Sequence, residues 1–449
     1  MGKYFGTDGF RGKANETLTA LQAFRVGRFL GHYYSERREE GRARIVVGKD
    51  TRRSSYMLEY ALAAGMTASG ADAYLLHVTT TPSVSYVART DGFDCGVMIS
   101  ASHNPYEDNG IKLLGSGGEK LDDKILAEIE EYLDGTYEPP YATGARIGRT
   151  VDYVFGRNRY IGYLISLSRV SFQGVRVGLD CANGSAWTIA KSVFDSLGAS
   201  VTLIGAQPNG TNVNLGCGST HIERLQQLVV EEGLDVGFAF DGDADRCIAV
   251  DEKGNVVDGD GIIFLMANYL KGRGELDGGV VATVVSNLAL PDALKERGIE
   301  CTLTQVGDKY VYDEMIRSGS FLGGEQSGHI IFRKHAATGD GILTAVKVME
   351  AIVESECKLS KLTEGFKPYP QALKNVVVRQ KEAILKSRTF LSALERTEGH
   401  LKGNGRVLVR PSGTESLVRI LIECRDKALA EKAAEELAWA VLAADGEVQ

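Results

Sequence analysis

A chain of 449 residues has room for about three domains of ordinary size, each with its own buried core. Its 43% hydrophobic and 24% charged residues exclude a disordered chain, and a net charge of −8 argues against a general nucleic-acid binder. Glycine is abundant at 53 residues and proline scarce at 9, a balance that points to tight functional turns rather than a flexible low-complexity chain.

Short apolar runs alternate with helical patterns. Strands are predicted over residues 43–47, 73–78 and 95–99, with a helix over 54–69. A second round places strands at 175–179, 200–204 and 235–240 and helices at 185–197 and 222–232. A third places strands at 279–284 and 300–305 and helices at 288–297 and 308–317. The last stretch differs, with strands at 372–378, 405–409 and 417–423 and helices at 381–396 and 427–444. The alternation predicts three α/β sheet domains, and the ending a smaller α+β domain. Joints near 139–149, 253–254 and 368–370 divide the chain into 1–150, 151–254, 255–368 and 369–449.

Seven cysteines are scattered without a C-x-x-C pair, which disfavours a disulfide framework and fits a reducing, cytoplasmic setting. No apolar run reaches the length of a membrane span, and residues 1–6 lack a signal-peptide core, so no membrane or targeting segment is expected.

Four loops carry candidate chemistry. Asp241-Gly242-Asp243-Ala244-Asp245-Arg246 offers three alternating carboxylates that a turn at Gly242 can bring onto one hard cation, Mg²⁺ before Ca²⁺. A calcium EF-hand is the competitor, with Glu252 at its twelfth position. Arg246 stands where that loop needs glycine, and both flanks read as strands. Ser100-Ala101-Ser102-His103-Asn104-Pro105 follows the strand at 95–99, so Ser102 is either a nucleophile or phosphoryl carrier at a strand end, or the cap of a turn. Lys112 nearby is a candidate acid/base or phosphate contact. Gly323-Gly324-Glu325-Gln326-Ser327-Gly328-His329 offers Glu325 and Ser327 to sugar hydroxyls and His329 for proton transfer, or is a tight hairpin. Arg410-Pro411-Ser412-Gly413-Thr414-Glu415 suits a phosphate, with Arg419 further on, or is a structural turn. Two weaker segments, Thr7-Asp8-Gly9-Phe10-Arg11-Gly12 and Gly48-Lys49-Asp50-Thr51-Arg52, read on their own as solvated turns. No P-loop, H-E-x-x-H or G-x-S-x-G pattern is present.

Taken in order, TDGFRG, SASHNP, DGDADR, GGEQSGH and RPSGTE resemble the α-D-phosphohexomutase superfamily over nearly the whole chain. Finer features resemble its branch acting on glucosamine phosphates: the glutamine of Gly324-Glu325-Gln326-Ser327, the stretch Asn209-Gly210-Thr211-Asn212-Val213-Asn214, Val306-Gly307-Asp308-Lys309-Tyr310-Val311, and Thr338-Gly339-Asp340-Gly341. The resemblance implies three related α/β domains and a smaller fourth around a central cleft. It implies Ser102 as a phosphoserine that holds Mg²⁺ together with Asp241, Asp243 and Asp245. Glu325 and Ser327 would select sugar hydroxyls, and Arg410, Ser412, Gly413, Thr414 and Arg419 would grip the non-reacting phosphate. Lys112 and His329 would be acid/base candidates, and Arg11 would assist at the reacting phosphate.

The activity implied is interconversion of glucosamine 6-phosphate and glucosamine 1-phosphate through a 1,6-bisphosphate, feeding UDP-N-acetylglucosamine synthesis. Glucosamine 1,6-bisphosphate or glucose 1,6-bisphosphate would act as activator, and a homodimer is suggested. The nearest rival acts on glucose or mannose phosphates with the same machinery. A non-catalytic sugar-phosphate binder would have been expected to lose Ser102 or an aspartate, and all are present. Two positions depart from the usual pattern, Ser416 in place of proline and Lys309 in place of arginine. The first loosens a turn, and the second keeps charge but loses the bidentate fork.

Overall fold

The computed structural model describes residues 2–6, 8–411 and 416–447. The chain divides into two compact units: Met1–Val285 with Gly298–Glu364, and Ser286–Arg297 with Gly365–Gln449.

The larger unit holds three sheets. The first has seven strands in the spatial order Phe5–Gly6, Gly9–Lys13, Asp108–Leu114, Cys95–Ile99, Arg44–Lys49, Asp72–Val78 and Thr150–Asp152. The last four run parallel and the first four are joined antiparallel. Cys95–Ile99 is buried along its whole length, as a near-continuous apolar run in the middle of a helix-covered sheet should be. Helices Ala20–Ser35 and Arg53–Ala68 cover one face, the first opened by a capping box between Thr19 and Gln22. Helix Thr81–Thr90 covers the other, capped by Thr80 with Pro82 in its first turn.

The second sheet runs Val256–Val257, Cys247–Asp251, Val236–Phe240, Arg176–Asp180, Ser200–Ile204, and the third Cys301–Thr304, Val280–Thr283, Leu322–Gly324, Ile330–Phe332. Each joins parallel strands to an antiparallel edge. In the smaller unit, Gln371–Val377, Leu417–Cys424 and Gly405–Pro411 form an antiparallel sheet that shares a core with helices Arg388–Leu401 and Lys427–Glu447. The architecture is thus three α/β layers and one small α+β layer, the expected fold class.

Strands at 95–99 and 200–204 coincide with expectation, and most other elements differ by a residue or two at their ends. The helix expected over 381–396 is two helices, Lys381–Ile384 and Arg388–Leu401. Ser387 breaks it by capping the second, its Oγ accepting the Phe390 N–H at 3.2 Å. Lys253-Gly254 is the turn of a hairpin, with Gly254 at φ 83°. Among the described residues no helix is long and apolar enough to cross a membrane.

Candidate active site

Ser102 lies in the loop that leaves the buried strand Cys95–Ile99. It is buried and its backbone is left-handed, φ 53°, an unfavourable conformation for a residue with a Cβ. The surroundings hold it there. Its N–H donates to Ser100 Oγ at 2.9 Å, and its carbonyl accepts from Arg52 Nη2 at 2.9 Å and Asn214 Nδ2 at 2.8 Å. The side chain is then aimed: Oγ donates to Asp241 Oδ2 at 2.5 Å and stands 3.3 Å from His103 Nδ1. Burial, then Arg246 and Arg11, push the His103 pKa down to about 4, so that ring is neutral at neutral pH.

Asp241, Asp243 and Asp245 follow the buried strand Val236–Phe240 and are themselves buried. One ligand oxygen from each lies within 4.8 Å of the others. The turn puts Ala244 at φ 56° and presses Gly242 against the Ser102 loop, where a Cβ would stand 2.6 Å from the Ser102 carbonyl oxygen. Both flanks are strands, and Glu252 turns away to accept the Ser360 hydroxyl at 2.5 Å, so the EF-hand alternative fails.

Three carboxylates this close cannot all carry charge unaided. Burial, then the neighbouring Asp245 and Asp243, raise Asp241 to about 8. Lys112 Nζ answers part of the charge, at 2.6 Å from Asp243 Oδ2 and 2.9 Å from Asp245 Oδ2. Thr81 Oγ1 donates to the same oxygen of Asp243. The other oxygens, Asp243 Oδ1 and Asp245 Oδ1, are buried without a hydrogen-bond partner among the described residues. An all-oxygen, over-charged set with unused lone pairs fits a hard divalent cation.

Lys112 and Arg11 sit on paired strands, Asp108–Leu114 and Gly9–Lys13, where Arg11 lies opposite Gly110. Burial disfavours the Lys112 cation, but Asp243 and Asp245 outweigh it and raise its pKa. Arg11 donates to Asn104 Oδ1 at 3.1 Å and pairs with Asp8 at 3.3 Å. Both line a cavity of about 190 Å³ together with Ser102, Asp245, Glu325 and His329. Burial would raise Asp8, yet Lys120, Arg11 and Lys112 hold it at about 2.

His329 closes the loop that holds Glu325. Burial opposes its cation, while Asp245, at 3.8 Å from Nδ1, and Asp308, at 3.5 Å from Nε2, pull its pKa up. The Gly339 N–H donates to Nε2 at 2.9 Å, which places the neutral ring's proton on Nδ1, toward Asp245. A Cβ at Gly339 would meet that ring at 2.5 Å. Glu325 Oε1 accepts the Gly307 N–H at 3.1 Å. Ser327 is not among the cavity-lining residues; its Oγ is buried without a partner among the described residues.

The segment around Arg52 is no solvated turn. Lys49, Asp50 and Arg52 are buried, and the Arg52 guanidinium binds Asp50 and the carbonyls of Ser102, Asn104, Pro105 and Asp108. Asp8, Lys120, Asp308 and Arg246 also line the cavity without having been assigned roles. Asp8 and Arg246 lie within motifs already quoted, whereas Lys120 has no motif. In the smaller unit, Arg410 is exposed and lies opposite Arg419 in the sheet; Ser412, Gly413 and Thr414 lie outside the described residues.

Comparisons with known proteins cover this architecture piece by piece. Residues 2–139, 158–254 and 258–369 match the alpha/beta/alpha domains I, II and III of phosphoglucomutase/phosphomannomutase, and 373–440 its C-terminal domain. The phosphoglucosamine mutase of Lachnospira eligens is 60% identical over 434 residues, 96% of each chain. That of Lachnoclostridium phytofermentans is 56% identical over 439 residues, 97% of each. Among solved structures, a phosphoglucomutase/phosphomannomutase family protein of Burkholderia thailandensis superposes with TM-score 0.78 at 23% identity, over 98% of this chain and 97% of the other. The N-acetylphosphoglucosamine mutase of Aspergillus fumigatus, in complex with GlcNAc-6P and magnesium, does so with TM-score 0.70 at 20% identity, over 98% and 96%.

Proposed function

The chain belongs to the phosphoglucomutase/phosphomannomutase family, on its phosphoglucosamine mutase branch, and we propose that it interconverts glucosamine 6-phosphate and glucosamine 1-phosphate through a phosphoserine at Ser102. The observation that carries this reading is Ser102 itself. It is a buried serine held in a strained conformation, with Oγ 2.5 Å from the first carboxylate of an over-charged triad.

In the forward direction the Oγ–P bond of phospho-Ser102 breaks as the free hydroxyl of the bound sugar phosphate bonds to phosphorus. That hydroxyl gives up its proton to a base. The 1,6-bisphosphate reverses end for end, returns its other phosphoryl group to Ser102, and the departing sugar oxygen is reprotonated. Glucosamine 1,6-bisphosphate or glucose 1,6-bisphosphate would charge an unphosphorylated enzyme in the same way.

Asp241, Asp243 and Asp245, with the Ser102 phosphate, would hold Mg²⁺, which when bound neutralises charge on the transferring group. The protein's own part is positioning and electrostatics. Arg11, on the strand beside the Ser102 loop, adds fixed positive charge at the reacting phosphate. Lys112, His329 and the neutral His103 would move the hydroxyl proton. Glu325 and Ser327 would orient sugar hydroxyls, and Arg410, Ser412, Gly413, Thr414 and Arg419 would hold the distal phosphate. The magnesium and GlcNAc-6P of the Aspergillus enzyme support the metal and the phosphosugar class.

The test compares kcat/KM for glucosamine 6-phosphate and glucose 6-phosphate on one Mg²⁺-loaded, phosphorylated preparation. A strong preference for the amino sugar is expected. Equal or reversed preference would keep the chemistry and move the protein to the glucose/mannose phosphate reading.

A further inference from the structure

A glucosamine phosphate differs from a glucose phosphate by an amine at C2 that carries a proton, and so a positive charge, over much of the neutral range. A site that selects it needs a carboxylate with an unused lone pair facing the sugar. Four carboxylates line the cavity: Asp245, Asp8, Glu325 and Asp308. Asp245 belongs to the triad and already meets Lys112. Asp8 is held between Arg11 at 3.3 Å and Lys120 at 3.6 Å. Glu325 and Asp308 form one corner, because the Gly307 N–H donates to Glu325 Oε1 and Asp308 is the next residue.

The two oxygens of Asp308 have different surroundings. Oδ1 is occupied, accepting from Lys120 Nζ at 2.5 Å and from the Lys309 N–H at 2.9 Å. Oδ2 faces His329 Nε2 at 3.5 Å, beyond a good hydrogen bond. That nitrogen is already engaged by the Gly339 N–H at 2.9 Å. Among the described residues Oδ2 has that longer ion-pair contact and no hydrogen bond, although its carboxylate is only 14% exposed. A mostly buried carboxylate with one oxygen committed and one open to a cavity is built for a cationic donor.

Resting on the substrate reading of the preceding subsection, we propose that Asp308 is the residue that recognises the C2 ammonium group of the amino sugar and sets the preference over neutral hexose phosphates. Glu325 keeps its role toward hydroxyls. A C2 hydroxyl can donate to the same oxygen, but only the ammonium adds an opposite charge to that bond, an attraction expected to be worth about tenfold in specificity.

The experiment measures kcat/KM for glucosamine 6-phosphate and glucose 6-phosphate with the full-length, phosphorylated, Mg²⁺-loaded enzyme, comparing wild type with D308N, D8N and K120M. D308N keeps the shape but removes the charge, and because Lys120 Nζ and the Lys309 N–H retain the amide oxygen, it turns an NH₂ donor toward the sugar, which a hydroxyl can accept and an ammonium cannot. It is expected to lower the amino-sugar preference about tenfold while changing kcat/KM for glucose 6-phosphate by less than about threefold. D8N is expected to leave the preference within about threefold. K120M removes the cation that neutralises Asp308 and should raise the preference several-fold, so the proposal stays testable even if D308N does not fold. An equal loss for both sugars in D308N, or a lower preference in K120M, overturns the assignment. A wild-type enzyme with no amino-sugar preference defeats the substrate reading itself, whereas a wild-type preference that survives D308N defeats only the role of Asp308.

Discussion

Arg52 offers a sharp test of how the Ser102 loop is held. Its guanidinium is fully buried and donates five hydrogen bonds: Nε to Asp50 Oδ2 at 2.8 Å, Nη1 to Pro105 O at 2.5 Å and Asp108 O at 3.2 Å, and Nη2 to Ser102 O at 2.9 Å and Asn104 O at 3.0 Å. Replacing it with methionine keeps the length and removes the charge. The carbonyls of Ser102 and Asn104 retain Asn214 Nδ2, at 2.8 and 3.1 Å, so their loss is partial. Asp50 is the larger cost. It keeps Ser55 Oγ, Ser100 Oγ and the Arg52 backbone N–H but loses its only counter-ion among the described residues while fully buried. Removing one partner of a buried ion pair costs about 3–5 kcal/mol.

The loss should appear locally, as amide hydrogen exchange in the peptide spanning residues 100–111. Taking the low end, about 3 kcal/mol, exchange should quicken by roughly a hundredfold in R52M. The double variant D50N/R52M removes the stranded charge and should recover most of that protection. Its kcat should stay low, because the loop carbonyls are still released. Protection in R52M within about 1 kcal/mol of wild type, or a double variant no better protected than R52M, would refute the reasoning.

Three further outcomes follow from the geometry. S102A should abolish turnover while leaving the fold and the binding of glucosamine 6-phosphate intact, as read by thermal unfolding and calorimetry; residual turnover near wild type would contradict a carrier role. D243N should raise the Mg²⁺ concentration needed for half-maximal activity by at least about tenfold, since one charged ligand is lost; an unchanged Mg²⁺ titration would remove the triad from the metal site. Asp340 caps the helix Gly341–Glu354 and accepts the Tyr160 hydroxyl at 2.7 Å; burial raises its pKa to about 6, against the Leu343 N–H and Tyr160, which lower it. The native state therefore holds this proton more tightly than the unfolded chain. Stability from Asp340 is complete below its unfolded pKa near 4 and is lost as pH rises through 6, a change of roughly 3 kcal/mol. D340N should flatten the stability profile in that window, and a profile identical to wild type would count against the raised pKa.

Much of the site was legible because it sits at strand ends. Cys95–Ile99 and Val236–Phe240 are apolar runs that stop abruptly at polar loops, and those loops carry Ser102 and the triad. What stayed hidden depends on tertiary burial. Lys49, Asp50 and Arg52 form a charged string that reads as surface, yet Lys49 pairs with Glu59 at 2.5 Å and Arg52 with Asp50, all inside the protein. Pairing satisfies charges that composition alone assigns to water. The Lys120–Asp308 pair joins residues 188 positions apart, a contact no local pattern encodes. The short strand Gly9–Lys13 is polar in sequence because Arg11 points to the cavity, and it is ordered through its pairing with Asp108–Leu114.

The most direct test of the central claim follows the phosphoryl group. Unphosphorylated, Mg²⁺-loaded enzyme is incubated with glucosamine 1,6-bisphosphate, and its peptides are mapped by mass spectrometry before and after addition of glucosamine 6-phosphate. The account predicts one phosphoryl group on Ser102, and its discharge by the monophosphate to regenerate bisphosphate. Phosphate found on His103 or elsewhere, or a Ser102 phosphate that the sugar cannot remove, would contradict it.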